Sequence, residues 1–390
     1  MTACPPRAMP GGPDGPIYLF AGGGTGGHLY PALAVAGELV RRQQHARVVF
    51  ACSNRPIDRH ILDDQPYGVV PQPVRPIPRA LGGWWGFWRA WRESRRLARD
   101  LIDDLKPRAV LGLGGFAAGP LVHQAARAGI PTALLNPDAV PGRANRFLAR
   151  RVDVIFAQYR STIASFPPSV AGKVRVVGCP VRGELPNASR AEAMAAFALD
   201  PARRTLVING GSQGAASINQ AALLLEADLA SLAGSWQVLH ITGKGWSPAE
   251  GQARGGGMVV RRIEYCDRMD LAYAAADLLL GRAGASTTAE LAATGTPAVL
   301  MPYPYHKDQH QRLNAQSMID MADPGLSPPA VICEDVKDAR LNAQALRGVL
   351  LPLLAAPEAL AQMHRAAQTL PGADAAGLVA QWLIEGGGIP

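Results

Sequence analysis

With 390 residues, 48% of them apolar and 18% charged, the chain has the composition of a globular protein with two domains and excludes a disordered one. A formal net charge of +8 calls for an anionic partner: nucleic acid, a phosphate-bearing substrate or an acidic membrane surface. The five cysteines (Cys4, Cys52, Cys179, Cys266 and Cys333) are scattered, odd in number and without a C-x-x-C pair, which speaks against a disulfide framework or zinc site and for a reduced, cytosolic setting.

Residues 1–16, "MTACPPRAMPGGPDGP", lack the apolar run of a signal peptide and read as a flexible tail. No stretch of about 18 apolar residues follows, so no membrane-spanning helix is expected. "PIYLFAGGG" reads as a strand entering a glycine turn, with a helix over 31–43; "ARVVFACS" is the next strand, and "RAVLGLGG" leads to a helix over 119–129. "PTALLNP", "VDVIFAQ" and "VRVVGCPVR" complete this series. A second begins with "RTLVINGGSQG" and a helix over 216–230, then "WQVLHITGKG", "MVVRRIEYC", "DLLLGRAGAS" with its helix, and "PAVLMPYP".

Continuously apolar strands alternating with amphipathic helices define an α/β protein with parallel sheets covered on both faces. Both series open strand, glycine turn, helix, so two Rossmann-like, doubly wound domains are expected, meeting near "GCPVRGELPNAS" at 178–189. The expected bounds are 17–182 and 183–365, with a C-terminal helix within about 366–390 packing back on the first domain. Ligands gather beyond the carboxyl ends of such strands, and two facing domains would set their glycine turns on the walls of one cleft.

Gly22, Gly24 and Gly27 fit G-x-G-x-x-G, but the following strand ends in Cys52, Ser53 and Asn54, without the carboxylate a dinucleotide ribose requires. Lys244 in "TGKGW" is followed by glycine, so a P-loop also fails. Contact of exposed N–H groups with an anion or sugar remains, beside the plainer reading that the glycines merely turn the chain. "GGSQGAASIN" repeats the pattern with Ser212, and "GRAGASTTAEL" does so again, Ala283 to Thr288 supplying donors ahead of a helix with Glu290. "GLGGFAAGP" at 112–120 is a further glycine turn. There is no D-x-D and no H-E-x-x-H, so no metal and no cofactor is called for. A leaving diphosphate would be stabilised by backbone dipoles.

His28, with an ordinary pKa near 6.5, suits a general base toward a sugar hydroxyl, or else a helix-start histidine bonded to backbone. "PYPYHKDQHQRLNAQ" gathers His306, Lys307, Asp308, Gln309, His310 and Gln311 at a helix start, suited to sugar hydroxyls or to solvent. In "LGGWWGFWRAWRESRRLARDL", Trp84, Trp85, Phe87, Trp88 and Trp91 alternate with Arg89, Arg92, Arg95, Arg96 and Arg99. Such a stretch fits an anionic membrane surface or single-stranded nucleic acid, with part of the aromatic set in the core.

Taken together, "GGGTGGHLYPALA", "GLGGFAAGP", "PGRANRFLA", "GCPVR", "GGSQGA", "RAGASTTAELAATGTPAVLMPYP" and "HKDQHQRLNA" resemble glycosyltransferase family 28, in order, from about residue 17 to 320. The resemblance implies a GT-B fold and an inverting, metal-independent transfer of N-acetylglucosamine from UDP-N-acetylglucosamine to lipid I, giving lipid II in peptidoglycan synthesis. It implies peripheral attachment to the cytoplasmic face of the inner membrane, for which Trp84, Trp85, Phe87, Trp88 and Trp91 are the expected contacts by residue type. Its partners would be the UDP-sugar, a lipid-linked acceptor and anionic phospholipid, with no nucleic acid. By the same resemblance Thr25, Gly26 and Gly27 line the acceptor and sugar side, and His28 is the base. Arg182 and Ser212 meet the nucleotide and its phosphate, and the Cys266 backbone meets uracil. Ala285, Ser286, Thr287, Thr288 and Ala289 cradle the diphosphate, Glu290 binds the ribose, and Gln311, with His310, the sugar.

Two positions depart from the family pattern. The family's H-E-Q-N stands here as "LNPD", with Asn136 for the glutamate and Asp138 for the asparagine, and the asparagine of G-N-P-V-R is Cys179. Asp138 falls where substrate is expected. Three rival readings follow: a family-28 transferase with another lipid acceptor or sugar, a catalytically idle nucleotide-sugar-binding relative, and a nucleic-acid binder.

Overall fold

The computed structural model describes residues 15–24, 26–78, 80–183, 185–211, 214–246, 257–305, 308–371 and 374–387. Two compact units divide the chain: Met1–Arg182 with Asp374–Pro390, and Gly183–Ala373. The first runs β1 (Ile17–Gly22), α1 (Gly26–Arg42), β2 (Arg47–Ser53), α2 (Pro56–Leu62), β3 (Gly68–Gln72), α3 (Trp84–Leu105) and β4 (Ala109–Gly114). It continues with α4 (Ala118–Arg127), β5 (Thr132–Asn136), α5 (Arg143–Leu148), β6 (Val154–Ala157), α6 (Pro168–Ala171) and β7 (Val174–Val176).

The second unit runs α7 (Arg190–Ala196), β8 (Arg204–Asn209), α8 (Ala216–Leu224), α9 (Glu226–Ala230), β9 (Trp236–Ile241), β10 (Val260–Ile263), α10 (Met269–Ala275) and β11 (Leu278–Gly281). After these come α11 (Ala285–Thr294), β12 (Ala298–Leu300), α12 (His310–Asp320), β13 (Ala330–Ile332), α13 (Ala339–Ala355) and α14 (Pro357–Gln368); α15 (Ala375–Glu385) belongs to the first unit. The stretch about 366–390 thus divides between α14 in one unit and α15 in the other.

Among the described residues the first sheet has seven strands in the order β3-β2-β1-β4-β5-β6-β7, and the second six in the order β10-β9-β8-β11-β12-β13. Every pairing is parallel, with Phe20 opposite Phe50 and Leu111 in the first sheet and Ile208 opposite His240 and Leu280 in the second. The strands β1, β4 and β9 are buried along their whole length, which is why β1 and β4 read as unbroken apolar runs; β9 buries Gln237 and His240 as well. Tyr18, Phe20, Phe50 and Leu111 pack on one face of the first sheet; Leu19, Val49, Val110 and Leu134 pack on the other. Val379, Trp382 and Leu383 of α15 complete the former face, with Trp382 edge-on to Phe156 at 5.9 Å. Burying one such large apolar side chain contributes about 1.5–3 kcal/mol.

Local differences from the sequence reading bear on the site. The first helix starts at Gly26, not at 31, so Gly26, Gly27 and His28 form its opening turn. The helix expected over 216–230 is two, α8 and α9, joined at Leu225.

Candidate functional site

In the first unit the glycine loop between β1 and α1 is clamped from below by Asp58, a fully buried carboxylate near the start of α2. Its Oδ1 accepts the Gly24 N–H at 2.6 Å, and its Oδ2 accepts the Ser53 N–H at 3.1 Å and the Ser53 hydroxyl at 2.5 Å. Gly23 has φ +140°, and a Cβ there would lie 2.5 Å from Asp58 Oδ2, so only glycine lets the loop sit on this carboxylate. Arg55 closes the loop from the side, donating to the Gly24 carbonyl at 3.2 Å and lying 5.1 Å from the centre of the Phe116 ring.

The His28 ring reaches from α1 to the glycine turn after β4. A Cβ on Gly114 would lie 3.3 Å from His28 Nε2 and 3.4 Å from Asn145 Oδ1, so imidazole and amide converge on that glycine. Burial pushes the His28 pKa below 6.5; the charge of Asp138, a hydrogen bond with the Gly23 backbone and the charge of Asp58 act in the opposite direction. Asp138 is therefore near enough for its charge to be felt at His28.

Asn136, the first departure from the family pattern, is only 2% exposed and occupied within the unit. It donates to the Asp138 carbonyl at 2.7 Å and accepts from Asn145 Nδ2 at 3.0 Å. Asn145 Oδ1 is buried without a hydrogen-bond partner among the described residues. Arg182 stacks over the Tyr30 ring of α1 at 5.5 Å, while Cys179 is buried.

Trp84, Trp85 and Trp88 are exposed on the first turns of α3, Trp85 by 75% and Trp88 by 52%. Phe87 and Trp91 are half-buried: Trp91 lies against Gly119, whose Cβ would stand 2.9 Å from its Cζ3. The rings form a chain, Trp84–Phe87 at 5.7 Å, Phe87–Trp91 at 6.3 Å and Trp91–Phe147 at 6.5 Å, continued by the Arg151 guanidinium 4.5 Å from the Phe147 ring. Arg89, Arg92, Arg96, Arg143 and Arg146 are exposed on the same two helices, α3 and α5.

In the second unit the strand ends carry two glycine turns side by side, since Gly281 of β11 pairs with Asn209 of β8. Gly214 has φ +71°, and a Cβ there would meet the Thr242 carbonyl at 2.4 Å; that carbonyl accepts Asn219 Nδ2 at 2.8 Å, and Asn219 Oδ1 meets His240 Nε2 at 2.9 Å. The helix α11 begins at Ala285, so Ser286 and Thr287 lie in its first turn and their N–H groups have no acceptor within the helix. The Ser286 hydroxyl is buried and lacks a hydrogen-bond partner among the described residues. Thr288 turns inward, donating to the Gly284 and Ala285 carbonyls. Ala289 is buried, and Glu290, the next residue, accepts the Tyr273 hydroxyl at 2.8 Å.

Gln311 lies at the start of α12, where its Oε1 accepts the Tyr303 N–H at 2.9 Å, and His310 Nδ1 meets Asp308 Oδ1 at 2.9 Å. The same helix reaches the α11 turn through Asn314 Nδ2, which donates to the Ala283 carbonyl at 3.3 Å. Cys266, partly exposed, follows β10, and its neighbour Tyr265 carries Lys244 Nζ 5.3 Å above its ring. Thr25, Ser212, His306 and Lys307 lie outside the described residues.

Asp58, Asn145 and the Arg282–Asp335 ion pair are the residues that sequence reading missed. Arg282 is visible in "GRAGAS" as a cation beside a glycine turn, but Asp58 and Asp335 carry no motif signal.

Residues 18–157 match the glycosyltransferase family 28 N-terminal domain and residues 205–379 the glycosyltransferase family 28 C-terminal domain. The chain belongs to this family and is a glycosyltransferase with two Rossmann-like domains. Within the family it is similar to the UDP-N-acetylglucosamine–N-acetylmuramyl-(pentapeptide) pyrophosphoryl-undecaprenol N-acetylglucosamine transferase of Nocardioides sp., with 38% identity covering 94% of this chain and 97% of that one. The enzyme of the same name from Streptomyces avermitilis is 36% identical over 94% and 97%. The crystal structure of Acinetobacter baumannii MurG superposes with a TM-score of 0.71 at 25% identity, covering 95% of this chain and 99% of that one.

Proposed function

We propose that this chain transfers N-acetylglucosamine from UDP-N-acetylglucosamine to lipid I, giving lipid II, as the names of its relatives imply. The observation that carries the donor half is the start of α11, where the Ser286 and Thr287 N–H groups and an unpaired, buried Ser286 hydroxyl offer donors for a diphosphate. A helix start stabilises a nearby anion by about 0.3–1 kcal/mol, and by up to about 2 kcal/mol when partly buried. Glu290, held by Tyr273, takes the ribose hydroxyls, Gln311 the sugar, and the Cys266 backbone the base.

The first unit supplies the chemistry at the acceptor. His28 takes the proton of the attacking sugar hydroxyl as its oxygen bonds to the anomeric carbon. The bond from that carbon to the diphosphate oxygen breaks, UDP departs with the electron pair, and the configuration inverts. Depression of the His28 pKa by burial supports this role, since it keeps the imidazole neutral and able to accept a proton at neutral pH. The unpaired Asn145 carbonyl oxygen beside the ring suits a donor group of the acceptor. Gly26 and Gly27 clear the backbone there, and Arg182 serves the nucleotide from its place over Tyr30.

Asn136 speaks for the unaltered acceptor. Its amide is used inside the unit, so that departure from the family pattern is absorbed by Asn145 and the Asp138 carbonyl. Trp84, Trp85 and Trp88 with their flanking arginines suit a peripheral seat on anionic phospholipid at the cytoplasmic face of the membrane. Among the described residues no helix is long and apolar enough to cross a membrane.

Mass spectrometry of the product formed from UDP-N-acetylglucosamine and a lipid I analogue tests donor, acceptor and activity together. A single added N-acetylhexosamine is expected. No transfer to lipid I beside transfer to another lipid would overturn the acceptor assignment. His28→Ala is expected to lower kcat by about 100-fold to 10,000-fold, the usual contribution of a general base, with UDP affinity unchanged.

A further inference from the structure

The cation in "GRAGAS" has the look of a phosphate ligand, but the fold commits it elsewhere. Arg282 is 8% exposed. Its Nη1 meets Asp335 Oδ2 at 2.9 Å and donates to the carbonyls of Met301 and Pro302 at 2.9 and 3.1 Å. Its Nη2 donates to Ser217 Oγ at 2.9 Å, and the Tyr303 ring lies 5.6 Å above the guanidinium. Ser217 in turn donates to Asp335 Oδ2 at 2.6 Å, so one hydroxyl accepts from the arginine and donates to the aspartate. Asp335 Oδ1 accepts Asn342 Nδ2 and the Lys337 N–H, both at 2.9 Å, which occupies the carboxylate fully.

Each partner sits where a strand ends. Ser217 is the second residue of α8, beyond β8; Arg282 directly follows β11; Met301 and Pro302 follow β12; Asp335 follows β13. A parallel α/β sheet presents its ligand from that edge. A buried ion pair does little for stability compared with an apolar core of the same volume, and its attested use is to select one arrangement of the chain. Here the arrangement selected is the spacing between two glycine turns and between two helix starts.

We propose that Ser217 and Asp335, acting through Arg282, are positioning residues that hold the starts of α8 and α11 at the separation needed to grip the donor diphosphate. The proposal rests on the donor site assigned above. Because Asp335 cancels the charge of Arg282, anion binding is left to the helix starts. The same guanidinium fixes the Met301–Pro302 backbone, and the next residue, Tyr303, gives its N–H to Gln311, so the latch also sets the side chain assigned to the sugar.

The test uses the full-length enzyme and four variants, Ser217→Ala, Ser217→Thr, Asp335→Asn and Asp335→Glu. UDP affinity is read by calorimetry, donor and acceptor KM by steady-state kinetics, and backbone protection at 284–290 by hydrogen exchange with and without UDP. Ser217→Ala keeps the ion pair, so it folds even where Asp335→Asn does not. The expected result is UDP affinity about tenfold weaker in Ser217→Ala, from loss of hydrogen bonds to charged groups, with restoration in Ser217→Thr and an unchanged acceptor KM. A lower melting temperature with unchanged UDP affinity would reduce the network to a structural one and overturn the proposal. Wild-type enzyme that binds UDP without protecting 284–290 would instead refute the donor site itself, and the latch with it.

Discussion

Asp58→Asn is the substitution from which the first glycine loop has most to lose. It preserves shape and burial while replacing one carboxylate oxygen by an NH2 group. With that group toward Ser53, the Ser53 hydroxyl can turn and accept from it, but the Ser53 N–H, now 3.1 Å from Oδ2, would face a donor. A hydrogen bond to a charged group contributes about 1.5–3 kcal/mol, and a buried N–H left unpaired costs about 1–3 kcal/mol. The sum is roughly 2.5–6 kcal/mol. For a unit of this size about 2–4 °C of melting temperature corresponds to each kcal/mol, so a fall on the order of 10 °C is expected in calorimetry. Ser53→Ala removes the 2.5 Å hydroxyl bond to the carboxylate and the 3.4 Å bond that hydroxyl accepts from the Arg55 N–H, and should lose about 1.5–3 kcal/mol. Gly24, which leads into α1, is bonded to Asp58 Oδ1, so kcat should fall in Asp58→Asn while UDP affinity, a property of residues 285–290, holds. An Asp58→Asn enzyme that melts within about 2 °C of wild type, or Ser53→Ala losing as much as Asp58→Asn, would refute the clamp.

Other outcomes follow from the same structure. The acid limb of kcat against pH should fall below pH 6.5, because the base must be neutral and burial depresses its pKa. Asp138→Asn removes a charge that favours the protonated ring, so the limb should move to lower pH; movement upward would break the link between the two groups. Burial also pushes His240 down to about 4. A depressed pKa means that the unfolded chain takes up the proton first, so stability is full above about pH 6.5 and declines as pH falls toward 4, by roughly 3 kcal/mol in all. Urea titrations of wild type and His240→Gln across that range should show the steeper slope in the former, the remainder belonging to carboxylates such as Glu38 whose pKa is held low. Replacing Trp85 and Trp88 together by serine should weaken binding to phosphatidylglycerol vesicles by about tenfold or more, with stability changed by less than about 1 kcal/mol because both rings are exposed. Unaltered vesicle binding would remove α3 as the membrane face.

The glycine turns and apolar strands were legible because their constraints are local: a backbone at φ +140° or +71° admits little but glycine, and a strand buried on both faces is apolar except where a polar side chain finds a partner, as His240 does on Asn219. The start of α1 lies five residues ahead of the sequence expectation for a related reason. Glycine is a poor helix former in the interior, yet Gly26 and Gly27 occupy the first turn, where little of the helix hydrogen-bonding ladder depends on them. What stayed hidden were the side chains that act at long range in sequence. Asp58 meets Gly24 34 residues away and Asp335 meets Ser217 118 residues away, and no local spacing encodes either pairing.

Arg282 shows why composition alone misleads at such a site. A guanidinium beside a glycine turn suggests a phosphate ligand, and only the tertiary structure reveals that its charge is already answered by a carboxylate from beyond β13. The same holds in reverse for Asn136, an apparent break in a binding motif whose amide is occupied inside the first unit. Motif positions report which backbone must stay bare; which polar side chains remain available to a ligand is decided by partners the motif does not contain. Among the described residues the Asn145 carbonyl oxygen and the Ser286 hydroxyl at the start of α11 are buried without a hydrogen-bond partner, so both stand open to a ligand.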